Sequence, residues 1–221
     1  MGEPSEPLIK IFGILDITPE VITMFVIIAV CAMLALVVSR NLKERPGKLQ
    51  NLIESGVEYL DNFFTDILGK KHARKYLFFL ASLFVFIIFS NYSGLIPGVG
   101  TFRWFKAPTS SLSVTLGLSV CTFFFIHISG IRMGFKHYIR HFLTLIAPLI
   151  ILDEFIKPAS LALRLFGNIF GEETVLENFY HLLPIGAPVI MMALSLIFCA
   201  IQAMVYTMLT ASYLGEFLED Q

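Results

Sequence analysis

Long apolar runs alternate with short charged segments along this chain, and this alternation is typical of a protein that crosses a membrane several times. A helix needs about 20 mostly apolar residues to cross the hydrocarbon core of a bilayer. The candidate segments are residues 17–39, 74–93, 110–131, 138–178 and 184–218. The pattern predicts an all-α integral membrane protein with about five membrane helices, in a single membrane domain of residues 1–221 whose residues 1–16 form an external N-terminus.

The last two segments are longer than a perpendicular crossing requires, and they contain polar residues such as Glu154, Arg164 and Gln202. Polar groups at membrane depth must face protein or water. A helix that is longer than the bilayer is thick can tilt to fit. We therefore predict that the last two helices are long and strongly tilted.

Residues 46–69 follow a different pattern, in which apolar residues recur at helical spacing and acidic residues lie mostly elsewhere. Leu60 and Phe64 represent the apolar side, and Glu54 and Glu58 the polar one. The segment is too polar to span a bilayer, and amphipathic helices of this kind lie in the plane of the interface. The pattern predicts one interfacial amphipathic helix.

The distribution of basic residues predicts the orientation. Lys and Arg cluster in residues 40–75 and 132–140, whereas residues 91–111 contain only Arg103 and Lys106. Basic loops stay on the cytoplasmic side of a membrane. We therefore predict an N-terminus outside, a cytoplasmic C-terminus and five crossings.

Composition narrows the possible classes of function. Hydrophobic residues make up 56% of the chain, charged residues 15%, and the mean hydropathy is +0.77, which is more apolar than a soluble domain requires. The net charge of −1 argues against nucleic-acid binding. Residues 1–11 carry Glu3, Glu6 and a single Lys10, so we expect a retained first span rather than a cleaved signal peptide.

Metal and cofactor motifs are not evident. Cys31, Cys121 and Cys199 lie in apolar runs without CxxC spacing. His137 and His141 are four residues apart but lack the acidic residue of a zinc-binding H-E-x-x-H motif. We predict no metal and no cofactor, and we expect any nucleotide chemistry to occur on another protein, because the chain has no phosphate-binding loop.

Arg164 is the most informative residue, because it lies within an apolar stretch. An arginine at the centre of a membrane helix costs about 2.5–3.5 kcal/mol on insertion, and such residues usually mark an ion or substrate pathway. Helical spacing places Ser160, Gly167, Asn168 and Gly171 on the same face as Arg164. Small residues let another helix approach closely, so this face is predicted to receive a partner helix.

A structural alternative is that Arg164 pairs with Glu172 or Asp153 inside the helix bundle. Acidic residues flank Arg164 on both sides: Glu154 is about 15 Å before it along a helix axis, and Glu173 about 13.5 Å after it, too far for direct pairing. This spacing suits two separate aqueous half-channels on either side of a fixed positive charge. Glu173 should face a neighbouring helix of the same chain; a solvated helix end is the alternative interpretation of Glu172 and Glu173.

The last helix carries a polar stripe at spacings of three and four residues. Its members are Ser195, Cys199, Gln202, Tyr206, Thr210 and Tyr213. Polar stripes can simply hold two membrane helices together. An ion pathway is the other interpretation, and we favour it for Gln202.

Residues 157–168 read Lys-Pro-Ala-Ser-Leu-Ala-Leu-Arg-Leu-Phe-Gly-Asn and are followed by Glu172-Glu173. This segment resembles the signature of subunit a of the F-type rotary ATP synthase. Residues 91–97, 107–110 and 201–216 resemble further segments of that family in the same order. The resemblance covers most of the chain from about residue 91 onward.

The resemblance implies an ion-translocating stator subunit that is not itself an enzyme. Arg164 would be the essential stator arginine facing the carboxylates of a rotating c-ring, and Glu173 the acidic residue of an external half-channel. Asn168 and Gln202 would be polar neighbours near the arginine, and Glu154 would belong to a cytoplasmic half-channel.

Two positions depart from the family pattern. Ser111 stands where the family often has Asp or Asn, and Ser195 stands where some members have His or Glu; Glu172 is expected to compensate for Ser195, and Ser160 to lie on the rotor-facing surface of the pathway. The implied partners are the c-ring, peripheral-stalk b-type subunits and membrane lipid, with protons or sodium as the transported ion. The implied location is an energy-transducing membrane, either a bacterial inner membrane or a thylakoid-like one.

The physical chemistry of a rotor carboxylate agrees with this assignment. A carboxyl group in lipid stays neutral because burial penalises its charged form, and it ionises beside a fixed cation. Arginine keeps its charge where lysine can lose a proton.

Two other classes of function remain open: a membrane-embedded enzyme using Glu172, Glu173 and a histidine, and a stand-alone channel or transporter. Co-purification with a ring of small hairpin proteins would separate both from a rotary-synthase subunit.

Overall fold

The structure is a computed structural model that describes residues 9–11, 15–40, 47–95, 106–134, 147–182 and 186–217. Five α-helices make up most of these ranges: α1 Pro19–Arg40, α2 Lys48–Gly94, α3 Leu112–Met133, α4 Ala147–Leu182 and α5 Ala187–Glu216. A short 3-10 turn, Pro108–Ser110, precedes α3. The predicted all-α architecture is confirmed. The predicted start of the fourth segment at residue 138 lies outside the described residues.

A small hairpin precedes α1, and the sequence pattern did not indicate it. Strand β1 (Ile9–Ile11) pairs antiparallel with β2 (Leu15–Ile17), with Lys10 opposite Asp16. Strands of three residues are too short for apolar alternation to be visible. The first helix consequently begins at Pro19 rather than at residue 17, and proline suits a first helical turn because that turn needs no backbone N–H donor.

Four helical segments are long and apolar enough to cross a membrane by length and composition: Pro19–Arg40, Gln50–Gly94, Leu112–Arg132 and Val189–Glu216. Helix α4 is not among them because acidic and basic residues interrupt its apolar sequence. Large apolar side chains on α1, such as Phe25 and Met33, are about two-thirds exposed in the isolated chain. This exposure fits a helix surrounded by lipid.

Helix α2 contains both the predicted interfacial segment 46–69 and the predicted span 74–93. Its helical geometry is interrupted at Gly69. Gly69 has φ +74° and ψ 153°, a backbone conformation that favours glycine because it has no Cβ. Residues 51–59 are exposed, whereas Leu60, Phe64 and Leu68 are buried. The amphipathic first half of α2 therefore packs against the bundle through residues 60–68 and is exposed over residues 51–59.

The core joins α2 to α5 and α3 to α4. One cluster of buried side chains comes from α2, α3 and the end of α5: Leu60, Phe64, Leu68, Ala73, Tyr76, Leu80, Ile126, Ala211, Leu214 and Phe217. A second cluster, which we call the apolar layer, joins α2, α4 and α5 through Leu83, Ile87, Leu161, Leu165, Ala203 and Tyr206. This packing holds one side of α4 against the bundle, whereas much of its other side is not covered by any other described part of the chain.

Candidate functional site

Arg164 lies on the uncovered side of α4 and is exposed. Within the part of the chain that the structure describes, its guanidinium makes neither a hydrogen bond nor an ion pair. Asp153 instead lies 3.3 Å from the Lys157 ammonium, and Glu172 Oε2 accepts a 3.5 Å hydrogen bond from Cys199 Sγ. The two acidic residues considered as structural partners of Arg164 are therefore engaged elsewhere.

The surface around Arg164 is open. Gly167 is exposed, and Ser160, Asn168 and Gly171 are partly exposed. A Cβ atom added to Gly167 or Gly171 would meet no heavy atom within 4 Å. The opposite side of α4 is buried against the bundle through Leu161, Ala162, Leu165 and Ile169. No other described residue covers the small-residue face of α4 at Gly167 and Gly171; that this face receives a partner helix stays a prediction.

Near the C-terminal part of α4, several elements converge on one group of polar residues, which we call the Glu173 cluster. Its members are Glu20, Asn91, Lys106, Ser110, Glu172, Glu173 and Cys199. Glu173 faces its own chain: Oε1 lies 3.7 Å from the position that a Cβ on Gly94 would occupy, and the Ser110 hydroxyl is within hydrogen-bonding reach. Its carboxyl group therefore points away from the open face of Arg164.

Two charged members of this cluster, Glu20 and Lys106, were not predicted as site residues. Glu20, in the first turn of α1, is only 2% exposed, and its Oε1 lies 3.6 Å from Lys106 Nζ. Lys106 also interacts electrostatically with Glu173. The one sequence signal was that Glu20 is an isolated acidic residue at the start of a strongly apolar helix. No local spacing links it to Lys106.

Helix α5 contributes the other wall of the Glu173 cluster. Asn91 Nδ2 donates to the Cys199 carbonyl oxygen over 3.4 Å, and the Tyr92 hydroxyl donates to the Leu196 carbonyl oxygen over 3.2 Å. Ser195, one turn before Cys199, is buried. These contacts fix the end of α2 against α5 and bring Ser195 and Cys199 to the side of α5 that faces the bundle.

Buried polar atoms without a protein hydrogen-bond partner are concentrated here. Among the described residues they include Ser90 Oγ, Asn91 Oδ1, Thr109 Oγ1, Asn168 Nδ2, Glu172 Oε1 and Gln202 Nε2. Buried polar groups are normally hydrogen-bonded, and those without a protein partner usually bind water. Asn168 lies one helical turn beyond Arg164, so the polar surface extends from the Glu173 cluster to the arginine. This arrangement suits a hydrated path for an ion.

The polar stripe of α5 is only partly suited to such a path. Gln202 is buried and its Nε2 has no protein partner. Thr210 instead donates to the Tyr206 carbonyl oxygen over 2.9 Å, and the Tyr206 hydroxyl lies 3.3 Å from Thr122 Oγ1 on α3. The hydroxyls of Tyr206 and Thr210 are therefore used in helix packing, whereas the buried Nε2 of Gln202 makes no hydrogen bond among the described residues.

A second group of charged residues, which we call the Glu154 cluster, lies where α3, the first turns of α4 and the end of α5 meet. It comprises His127, Asp153, Glu154, Lys157, Tyr213 and Glu216. Glu154 is 6% exposed and lies 3.1 Å from Lys157 and 3.6 Å from His127. A small cleft opens beside it, lined by His127, Glu154, Lys157, Leu161 and Tyr213 among others.

The apolar layer separates the two clusters inside the bundle. Leu161 and Leu165 on α4 and Tyr206 on α5 are among its buried members. Arg164 lies on the other side of α4, opposite this layer. Within the described residues, the two acidic clusters are thus separated by apolar packing inside the bundle and by a fixed cation at its surface.

No group of three or more His, Cys, Asp or Glu residues arranged to hold a metal ion occurs among the described residues. His137 and His141 lie outside them. Ser111 is partly exposed, and its carbonyl oxygen accepts a backbone hydrogen bond from Thr115 in the first turn of α3. Its side chain makes no hydrogen bond with a described residue of the Glu173 cluster or the Glu154 cluster.

Comparison with known proteins agrees with the resemblance found in the sequence. A family model described as ATP synthase A chain matches residues 21–215. The chain is 39% identical over 184 residues to ATP synthase subunit a of Moorella thermoacetica, with 81% of each chain covered. It is 37% identical over 193 residues to ATP synthase subunit a 1 of Syntrophotalea carbinolica, covering 84% of this chain and 80% of the relative. With ATP synthase subunit a of Trichlorobacter lovleyi it shares 35% identity over 207 residues, covering 90% and 87%. The chain therefore belongs to the ATP synthase A chain family and is a membrane-sector subunit of the rotary ATP synthase.

Proposed function

We propose that this chain is the stator subunit that exchanges protons between two half-channels and the carboxylates of a rotating c-ring, and so couples proton flow to ATP synthesis. The observation that carries the proposal is Arg164: an exposed cation with no hydrogen bond or ion pair among the described residues, on a face of small residues, between two acidic clusters. A permanent charge in a membrane protein needs a partner. A passing carboxylate on another protein supplies one.

The external half-channel is formed by the Glu173 cluster. Glu173 takes up protons, and Glu172 shares this task because Ser195 offers no titratable group at its position. The unpartnered amides of Asn168 and Gln202 bind water between the glutamates and Arg164. This path supplies the rotor carboxylate on one side of the arginine.

The cytoplasmic half-channel is formed by the Glu154 cluster and its cleft. The cleft is lined by both apolar and polar residues of α3, α4 and α5, including His127, Glu154 and Lys157, and the carboxylates of the cluster provide exits for protons that leave the rotor. Ser160, one turn before Arg164 on the same face, lies between this cleft and the arginine. The apolar layer keeps protons from crossing directly inside the bundle.

Arg164 drives the exchange by electrostatics. A rotor carboxyl surrounded by lipid is neutral, because burial penalises its charged form; beside the guanidinium it ionises and releases its proton. The permanent charge of arginine also repels a proton that would pass from one half-channel to the other. Rotation of the ring therefore connects the two half-channels.

The proposed role also implies an orientation in the membrane, a location, a set of partner subunits and a transported ion. Helix α4 crosses the membrane at a tilt, the N-terminus is outside and the C-terminus is cytoplasmic, in a bacterial inner membrane or a thylakoid-like one. ATP is made on other subunits, and b-type subunits of the peripheral stalk hold this chain against the rotation. The ion is a proton, or sodium if the carboxylate on the ring selects sodium.

Glu173→Gln tests the external half-channel. We expect proton-driven ATP synthesis in vesicles to fall by about tenfold. This decrease in rate is smaller than the decrease of at least about a hundredfold that is typical when a proton-transferring group is lost, because Glu172 retains part of the proton flux. The double variant of Glu172 and Glu173 should lose more than the two single variants together.

Glu58→Gln is the matched control, since Glu58 is exposed on the first half of α2 and should leave synthesis unchanged. Wild-type synthesis in all the Glu172 and Glu173 variants would mean that the external half-channel lies elsewhere.

A further inference from the structure

We infer that His127, on α3, carries protons between Glu154 and water at the membrane surface. Neither the sequence analysis nor the family signature singled this residue out. The inference rests on the proposed function, which it deepens by naming a proton-carrying residue in the cytoplasmic half-channel.

The two carboxylate oxygens of Glu154 have different surroundings. Oε1 accepts a hydrogen bond from Lys157 Nζ over 3.1 Å, whereas Oε2 lies 3.6 Å from His127 Nε2. Lys157 Nζ also lies 3.3 Å from Asp153 and 2.5 Å from Glu216. An ammonium group has three N–H donors, so three carboxylates are enough to occupy Lys157 fully. The oxygen that faces His127 is therefore the one available for proton exchange.

Lys157 itself is poorly suited to carry protons. Its ammonium is surrounded by three carboxylates and lies 5.1 Å from the centre of the Tyr213 ring. Four negative or electron-rich groups around one ammonium all favour its charged form. Lys157 thus acts as a fixed positive charge that holds Glu154 and ties α4 to the end of α5.

His127 is held in a defined orientation. Its ring packs edge-on against Phe123, with centroids 3.9 Å apart, and a second edge contact joins it to Phe217 at 5.8 Å. The same side chain lines the cleft beside Glu154. The aromatic contacts keep Nε2 directed at the carboxylate, whereas Nδ1 is buried. A neutral imidazole accepts a proton at its free nitrogen and can later release it to water, so both the uptake and the release take place at Nε2.

The proton balance is simple. During ATP synthesis, the O–H bond of protonated Glu154 breaks and an N–H bond forms at His127, which leaves a carboxylate and an imidazolium. Water in the cleft then takes the proton from the imidazolium and restores the neutral ring. The separation of 3.6 Å exceeds a direct hydrogen bond, so the transfer passes through one water molecule or a small side-chain rotation. No electron is transferred.

Chemical rescue separates this role from simple packing. We would measure ATP synthesis by the assembled enzyme in vesicles energised with a potassium diffusion potential, without a pH gradient. His127→Ala should lower the rate by about ten- to a hundredfold, the lower range of proton-transfer effects. Imidazole added on the side that faces the cleft should restore much of the rate, because the removed side chain leaves room for it.

Two control variants sharpen the result. His127→Phe keeps an aromatic ring between Phe123 and Phe217 but fills the space, so its rate should stay low with or without imidazole. Ser129→Ala removes a buried hydroxyl on the same helix outside the cleft lining and should behave as wild type in both conditions.

Wild-type synthesis in His127→Ala and His127→Phe would overturn the inference, and so would a loss that imidazole does not repair in His127→Ala. Arg164→Ala in the same vesicles distinguishes a failure of the His127 inference from a failure of the proposed function. If Arg164→Ala is inactive while both His127 variants are normal, only the role of His127 fails. If Arg164→Ala is normal, the proposed function itself fails.

Discussion

Arg164→Ala is expected to reduce proton-driven ATP synthesis to the background rate measured in vesicles that lack the enzyme. The subunit should still insert and assemble. The guanidinium is exposed and makes no hydrogen bond or ion pair among the described residues, so its removal breaks no such bond in that part of the chain. The rotor carboxylate, in contrast, loses the charge that makes it release its proton. Synthesis and ATP-driven pumping measured in the same vesicles check the result.

Arg164→Lys should also lose most of the coupled activity. An ammonium group is a compact charge that can deprotonate in an apolar environment, and it lacks the planar set of donors that arginine presents to a carboxylate. Lys157→Arg is not a suitable control because Lys157 is fully engaged; Arg40→Lys, on the exposed end of α1, should leave synthesis intact. Near-normal synthesis in either Arg164 variant would contradict the role of the arginine.

Gly167→Leu is expected to slow rotation although every charged residue remains. A Cβ at Gly167 meets no atom of this chain within 4 Å, so folding and insertion should be unaffected. Added bulk on a closely packed face costs about 1–3 kcal/mol, which corresponds to an about 5- to 150-fold slower step. The rate of ATP hydrolysis by the coupled enzyme measures this effect directly.

Gly117→Leu provides the matched control, since Gly117 is exposed on α3 and a Cβ there also meets nothing within 4 Å. It lies off the face of α4 that contains Arg164. Equal hydrolysis rates in wild type, Gly167→Leu and Gly117→Leu would show that the small-residue face does not pass close to a rotor.

The features that the sequence revealed are those encoded locally. Arg164, Gly167 and Asn168 follow one another at helical spacing, so their common face could be predicted without knowledge of any other helix. The positions at which helices begin, end or break were harder to predict from the sequence. An isolated Gly69 is compatible with a continuous helix or with a break, and only its backbone conformation distinguishes them.

Contacts between distant segments were not predictable from one sequence. Glu20 approaches Lys106, and His127 approaches Glu154, because separate helices pack side by side. Neither pair has a diagnostic spacing along the chain. Glu154 was assigned by the family signature, whereas the histidine opposite it lies in an apolar stretch of α3 that matched no motif.

Disulfide cross-linking to the rotor tests the central claim most directly. In the assembled enzyme, with the three native cysteines replaced by alanine, single cysteines would be placed at Ser160, Asn168 or Ala162, together with one near the rotor carboxylate. Ser160 and Asn168 share the face of Arg164 and are partly exposed, whereas Ala162 is fully buried in the bundle. We predict rotor cross-links from Ser160 and Asn168 and none from Ala162. Cross-linking from Ala162 but not from Ser160 or Asn168 would contradict the assignment of the Arg164 face to the rotor.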